Sequence, residues 1–319
     1  MLIIKISALG DAVMASSMIS AIRSKHPDAH ITWFCGEEIF DLVKLFKGID
    51  NILTVDNKLL SGGILNKIKF VFKCWKILLG KKFDLCVTGH SDFRYRLLSL
   101  SARCKICRRF GGRFGPLPGR YHGTEYVRLA IGHDHSIENP YPAAEINVLP
   151  SSLSKGMVLL LPGGARNIMR NDNLRGWPVE HYAALAEKLI SKAIPVGLIG
   201  GKDDLWVEDK FKLLPVISFI GKTSVRELLE LIAGASAVVA HDSGPMHMTY
   251  ALNTPLAAIF GPVMPQTRLP AEIIGNVIYS DIPCSPCYDG RNYADCRDNI
   301  CMRSIPVCEI VKKLEEITK

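Results

Sequence analysis

No stretch of this sequence is both long and free of charge. The nearest approach, Leu59–Leu79, contains Lys67, Lys69, Lys73 and Lys76, and four lysines make a spanning helix too costly. No basic leader precedes the apolar start Met1–Lys5, and Asp11 interrupts any longer run, so a signal peptide is not expected. Without a secretory signal, the 10 cysteines read as mostly free thiols in a reducing cytoplasm. The first loop lacks the G-x-G-x-x-G spacing of a dinucleotide fingerprint. The loop Ile199–Asp204 has no Ser or Thr after Lys202, which excludes a Walker A phosphate loop. What remains is ordinary globular composition, with 48% hydrophobic, 22% charged and 8% aromatic residues in 319. That excludes a disordered chain, a coiled coil or a disulfide-rich miniprotein, and suits two domains of about 150 residues each.

Charge is unevenly spread. Residues 1–150 carry 21 basic and 13 acidic side chains, whereas residues 151–319 carry 18 of each, so the net +8 belongs wholly to the first half. Such asymmetry points to a polyanionic partner. No acid occurs between Asp56 and Asp84, yet seven lysines do, interleaved with Ile64, Leu65, Ile68, Phe72, Trp75 and Leu79 at helical spacing. This is a basic amphipathic segment suited to an anionic membrane surface, although a core face with solvated lysines explains part of the pattern. From Arg94 to Arg128, nine basic residues meet one acid, Glu125. Neither stretch carries a recognition motif or aromatic stacking platform for nucleic acid, so a nucleic-acid-binding role is disfavoured.

Short β-branched runs alternate with helical ones. Strands are expected at Leu2–Ile6, His30–Phe34, Ile52–Val55, Leu85–Thr88 and Lys105–Phe110, with a helix over Ala12–Ser24. A proline-bearing segment, Asp134–Pro150, reads as a linker. Strands follow at Met157–Leu161, Pro195–Ile199, Ile217–Ile220, Ala237–Ala240 and Pro255–Phe260, with helices at Val179–Ser191, Asp204–Lys212, Val225–Gly234 and Pro306–Ile317. Repeated strand–helix units imply an α/β chain of two Rossmann-like domains, with parallel sheets facing a cleft. Ligands of such sheets lie beyond the carboxyl ends of the strands, so chemistry is sought in those loops.

The loop Ser7–Asp11 opens the first helix, and Asp11 reads either as an N-cap or as a general base aimed into the cleft. In the second half, Gly163 and Gly164 expose backbone N–H groups, and Arg166, Arg170 and Arg175 supply cationic forks for a diphosphate. Asp203 or Asp204 is a candidate for ribose hydroxyls, or simply an acid at a helix N-terminus. The segment His241-Asp242-Ser243-Gly244-Pro245-Met246-His247 joins a strand to a helix whose first N–H groups form a ready anion site. Beside Asp242 and Ser243, His247 is favoured as a ligand contact.

These residues resemble a known family. The opening Leu2-Ile-Ile-Lys-Ile-Ser-Ala-Leu-Gly-Asp-Ala, the Pro-Gly-Gly-Ala…Arg-Gly-Trp-Pro stretch and His-Asp-Ser-Gly-Pro-Met-His occur in the order seen in glycosyltransferase family 9, the bacterial lipopolysaccharide heptosyltransferases. So does the late Pro283-Cys-Ser-Pro-Cys-Tyr288…Cys301-Met302 region. The resemblance implies a GT-B fold and inverting transfer from a nucleotide-diphosphate sugar, most often ADP-heptose, with no required metal or other cofactor. The absence of any D-x-D triplet agrees with that. It implies that residues 1–150 bind the acceptor and residues 151–319 the donor, with Asp11 as catalytic base. It further implies that Gly163, Gly164, Arg166, Arg175, Asp204, Asp242, Ser243, Gly244 and His247 hold the donor, with Thr223 near its base. Arg175 stands where many members carry lysine, which changes the contact geometry. Arg94, Arg96, Arg108 and Arg109 become candidates for a phosphorylated glycolipid acceptor, at the cytoplasmic face of the inner membrane.

Cys284-x-x-Cys287, Cys296 and Cys301 fall within eighteen residues. The spacing allows a structural zinc or iron site, but free or packed thiols are the favoured reading.

Overall fold

The computed structural model describes residues 1–90, 93–132, 141–164, 173–290, 292–296 and 298–319, with the backbone alone at 61, 93, 94 and 113. The chain divides into two compact units, Met1–Asn147 and Val148–Lys319.

The first unit holds β1 (Leu2–Ile4), β2 (Thr32–Gly36), β3 (Asn51–Val55), β4 (Lys82–Thr88) and β5 (Arg103–Arg109). All pair in parallel, in the order β3-β2-β1-β4-β5. The short apolar run Leu2–Ile4 is wholly buried because β1 is central and covered on both faces. Helices α1 (Leu9–Ala15), α2 (Ser17–Lys25), α3 (Glu37–Val43), α4 (Ile64–Leu78) and α5 (His122–Ile131) surround the sheet. The single helix expected over Ala12–Ser24 is therefore two. Ser16 and Ser17 turn their hydroxyls back on the carbonyls of Val13 and Met14, at 2.7 and 2.8 Å, and paired serines of this kind bend or break a helix. Ser16 Oγ also accepts from the Ala144 N–H at 2.9 Å.

That contact belongs to the expected linker. Of Asp134–Pro150, residues 134–140 lie outside the described residues, and residues 144–147 are anchored to the first unit. Lys47 N donates to Glu145 O at 2.9 Å and Asn147 N to Leu45 O at 2.8 Å, with Ile146 bridging Phe46.

The second unit is built from β6 (Val158–Leu161), α6 (Val179–Ser191), β7 (Val196–Leu198), β8 (Ile217–Ser218), α7 (Val225–Gly234), β9 (Ala237–His241), α8 (Gly244–Ala251), β10 (Leu256–Phe260), β11 (Val277–Tyr279), α9 (Ile300–Arg303) and α10 (Val307–Ile317). Its sheet is parallel in the order β11-β10-β9-β6-β7-β8. α6 buries Val179, Tyr182, Leu185, Ala186 and Leu189, an i, i+3, i+4 stripe on the core. α7 starts at a capping box in which Ser224 and Glu227 satisfy each other's backbone N–H. The helix expected at Asp204–Lys212 is a 3₁₀ segment, Lys202–Phe211, in which only Val207 and Phe211 are buried. With so little packing, nothing enforces the α-helical repeat. β11 was not among the strands expected from the sequence.

Candidate active site

In a parallel sheet the loops after successive strands emerge at one edge, and in the second unit those after β6, β7 and β9 are tied together there. Asp204 accepts from Gly164 N at 2.9 Å and from Gly201 N at 2.8 Å, so one carboxylate clamps the first two loops. A Cβ on Gly163 would sit 2.3 Å from Asp204 Cγ, and Gly164 holds a φ of +81°. Both glycines are thus required by the clamp, one sterically and one conformationally. A Cβ on Gly164 would come within 3.9 Å of Ser243, which brings in the loop after β9. Asp204 serves the loop structure before it serves any ligand. Thr223 stands half-buried in the loop after β8, one residue ahead of the Ser224 cap.

Asp242 follows the last residue of β9 and is buried. Three cationic or titratable side chains converge on it. Arg175 Nη1 lies 3.3 Å from Oδ2, Arg268 Nε 3.9 Å from the same oxygen, and His247 Nε2 3.8 Å from Oδ1. Burial alone would raise the Asp242 pKa, but His247, Arg268 and Arg175 hold it well below the ordinary carboxylate range. Next to it, Ser243 is the N-cap of α8, yet its hydroxyl donates to His241 O at 2.9 Å and caps nothing. The first N–H groups of α8 therefore carry no side-chain cap. His247, one turn in, is buried, and its Nδ1 has no hydrogen-bond partner among the described residues. Behind this cluster, burial and the Arg175 charge push the His241 pKa down to about 4, and its Nδ1 lies 3.1 Å from the Tyr182 hydroxyl.

Arg175 owes its position to its neighbours. Trp177 is buried, donates to Ile305 O at 3.1 Å, and packs edge-on against Tyr182. Asn299 Nδ2 donates to Gly176 O at 3.1 Å. Gly176 and Trp177, the two residues after Arg175, are thus pinned to the rest of the unit. Sequence reasoning missed Arg268, which carries no motif, and the two tyrosines around it. Arg268 lies 5.9 Å from the ring centroid of Tyr288, which packs 4.7 Å from Tyr293. Burial raises the Tyr293 phenol, with Arg175, Asp242 and Arg268 all acting on it. The arrangement brings together arginine forks, an uncapped helix start and aromatic walls, a chemistry suited to an anion. Arg166 and Arg170 lie outside the described residues.

In the first unit, Asp11 is not an N-cap. Ala8 caps α1 and Asp11 is its third residue, placed by a salt bridge from Lys5 Nζ at 2.8 Å. The Lys5 side chain is 2% exposed and that of Asp11 37%, so a buried ammonium anchors a reachable carboxylate. Burial would strip the proton from Lys5, but Asp11 and Tyr126 outweigh it and drive its pKa above the ordinary lysine range. Sequence reasoning did not single out Lys5. Its signal was a lone charge inside a buried apolar strand run, which demands a partner.

Over residues 130–296, more than half of the chain, the sequence matches the profile of Glycosyltransferase family 9 (heptosyltransferase). The chain belongs to that family. A segment of 109 residues is 43% identical to lipooligosaccharide heptosyltransferase 2 of Haemophilus influenzae, a match spanning 32% of this chain and 32% of that protein. The chain therefore matches about a third of that relative's length. Over 309 residues it is 24% identical to the lipopolysaccharide core heptosyltransferase OpsX of the same organism, covering 86% of this chain and 83% of the relative. Among solved structures, E. coli ADP-heptose lps heptosyltransferase II is similar at a TM-score of 0.73 with 21% identity, over 99% of this chain and 98% of that one. The fold is GT-B, with two Rossmann-like domains.

The basic residues assigned to an acceptor divide. Arg96 and Arg109 are exposed, and the side chain of Arg94 lies outside the described residues. Arg108 is half-buried, and its guanidinium donates to Ala130 O at 2.6 Å at the C-terminal turn of α5. Those carbonyls have no intrahelical partner, and a guanidinium satisfies them. Arg128 likewise pairs with Glu125 inside the unit, where both are buried. On α4 the core side is Phe70, Cys74 and Leu78, while Ile64, Leu65, Ile68, Phe72 and Leu79 lie outward, Leu65 70% and Phe72 60% exposed. At 100° per residue these five fall within an arc of about 100°, bordered by the exposed Lys69, Lys73 and Lys76. No helix among the described residues is long and apolar enough to cross a membrane. No three of Cys284, Cys287, Cys296 and Cys301 bring their sulfur atoms within 4.8 Å of one another. Burial pushes the Cys301 thiol up to about 11, with the other three acting on it in the same direction.

Proposed function

We propose that this family 9 member transfers a heptose from ADP-heptose to the inner core of lipopolysaccharide, on lipid A-Kdo or an already heptosylated core, with inversion at the anomeric carbon. The observation that carries the reading is the convergence of Arg175 and Arg268 on the buried Asp242, beside the uncapped start of α8. Asp242 keeps two guanidiniums together that would otherwise repel each other. A diphosphate then accepts from their remaining N–H groups and from α8. The names of the relatives support heptose and a lipopolysaccharide core, and that of the E. coli structure supports ADP-heptose.

Inverting transfer needs a base for the acceptor hydroxyl and positive charge for the departing diphosphate. The first unit carries a candidate for the former, Asp11, and the second unit carries the latter. Asp11 takes the hydroxyl proton as the oxygen bonds to the anomeric carbon, and the bond from that carbon to the phosphate oxygen breaks. The nucleoside diphosphate leaves with the electron pair, and Arg175, Arg268 and the α8 N–H groups stabilise its charge. Lys5 orients Asp11 through the 2.8 Å ion pair without entering the reaction.

The outward apolar strip of α4, with its lysine border, supports residence at an anionic bilayer surface, which is where a phosphorylated glycolipid acceptor lies. The cytoplasmic face of the inner membrane is the location this reading requires. The test is a screen of ADP-, GDP- and UDP-linked sugars for nucleoside-diphosphate release in the presence of core glycolipids. Release from ADP-heptose alone, dependent on glycolipid, is the expected outcome. Faster release from another donor, or transfer to a protein acceptor only, would overturn it.

A further inference from the structure

A second constellation lies on the first sheet. Cys86, Cys104 and Cys107 bring their sulfur atoms within 4.8 Å of one another. Cys104-Lys-Ile-Cys107 is a C-x-x-C pair on β5, an edge strand, and parallel register sets Cys107 beside Cys86 of β4. The three grade from buried Cys86 through half-buried Cys104 to exposed Cys107. Cys86 belongs to the core of this unit and Cys104 packs against it, but the exposed Cys107 contributes nothing to that core, so packing does not account for the third thiol. Its geometry does suit a metal. In a tetrahedral zinc site, bonds of about 2.3 Å hold the sulfurs about 3.8 Å apart, so the trio needs to close by about 1 Å at most.

Ligand type and charge select the ion. Three soft thiolates favour zinc, or its spectroscopic stand-in cadmium, over magnesium or calcium. Three thiolates and a divalent cation leave one negative charge, and Arg96 lies close enough to Cys107 to act on it electrostatically. We propose that Cys86, Cys104 and Cys107 form a three-thiolate site for a zinc-like divalent cation, with water in the fourth position, stapling edge strand β5 to β4. Each thiol gives up one proton to solvent as its sulfur binds the ion, and no redox step is involved. The ion would fix the strand that carries Arg109.

The test uses the whole chain, reduced and freed of metal, titrated with cadmium while the ultraviolet sulfur-to-cadmium charge-transfer band is followed, and then with competing zinc. One equivalent per chain is expected. Cys107→Ser should weaken binding by more than about 100-fold, since even loss of an outer-shell partner costs 10- to 100-fold. Cys107→His, which keeps a ligand, should restore most of it, and a Cys287→Ser/Cys296→Ser variant should bind like the parent. In the unsubstituted protein, zinc should protect Cys107 from alkylation, which keeps the test valid if a variant misfolds. Unchanged affinity in Cys107→Ser, or loss in the Cys287/Cys296 variant instead, would overturn the site. So would a reduced protein that binds neither ion yet forms a Cys104–Cys107 disulfide on oxidation.

Discussion

Replacing Arg175 by alanine tests the anion site where its geometry is best defined. A guanidinium carries five N–H donors, and the contact with Asp242 at 3.3 Å uses one edge of the fork. A hydrogen bond from such a group to a phosphate contributes about 1.5–3 kcal/mol, which corresponds to a change in affinity of roughly 10- to 150-fold. Two features of the site set where in that range the effect falls. Arg268 and the start of α8 remain, which limits the loss. Asp242 is buried and loses one of its cations, so its charge then opposes the diphosphate, which raises the loss. The two together place the expected weakening of ADP binding at about 100-fold. Arg175→Lys restores the charge without the planar fork and should recover about half of that free energy, leaving roughly a 10-fold deficit. Titration calorimetry with ADP, AMP and adenosine is the assay. The loss should be greatest for ADP, smaller for AMP and within about 3-fold for adenosine, because only the phosphates meet the arginine. Equal weakening of adenosine and ADP would mean that Arg175 holds the loop together instead, and unchanged ADP binding would refute the assignment.

Asp11→Asn should lower turnover by about two to four powers of ten with donor affinity nearly intact, checked by steady-state kinetics alongside calorimetry. His241 sets an acid limit on stability. Its folded pKa of about 4 lies below the ordinary 6.5, so between those values the unfolded chain binds a proton that the folded chain does not. Stability should be full above pH 6.5 and fall by up to about 3 kcal/mol by pH 4. Urea melts across that window should show a shallower fall in His241→Gln than in the parent. Leu65→Ser with Phe72→Ser should cut co-sedimentation with anionic vesicles by about 10- to 100-fold, and neutral vesicles should bind weakly whichever protein is used. Neutralising Arg96 and Arg109 together should raise the Michaelis constant for acceptor and not for donor. Arg108→Ala should instead lower the melting temperature, since it leaves the last carbonyls of α5 unsatisfied.

The alternation of strand and helix placed ten of the eleven strands, because short β-branched runs stand out between longer helical ones. The departures have local causes. Ser16 and Ser17 interrupt a helix whose apolar periodicity runs on regardless, and hydroxyl-to-carbonyl bonds leave no trace in a hydrophobic pattern. In the site, Arg175 and the Asp242 turn were legible because glycine, arginine and helix-start chemistry lie adjacent in sequence. Arg268 was not, since it reaches Asp242 only through the fold. Nothing in sequence shows that β5 delivers Arg108 to the end of α5, where its guanidinium meets Ala130 O. On α4 the apolar spacing was visible but its sense was not, as Phe70, Cys74 and Leu78 form a competing apolar face and only packing decides between the two. The cysteines teach the same lesson. The dense group at 284–301 drew notice by spacing, whereas Cys86 joins Cys104 and Cys107 through parallel register across β4 and β5.

The most direct test of heptosyl transfer is the mass and anomeric configuration of the acceptor after incubation with purified protein and ADP-heptose. A heptose-deficient core glycolipid in anionic vesicles should gain one heptosyl residue, with configuration opposite to that of the donor and one ADP released for each residue added. A glycolipid of unchanged mass, or a product that retains the donor configuration, would contradict the account.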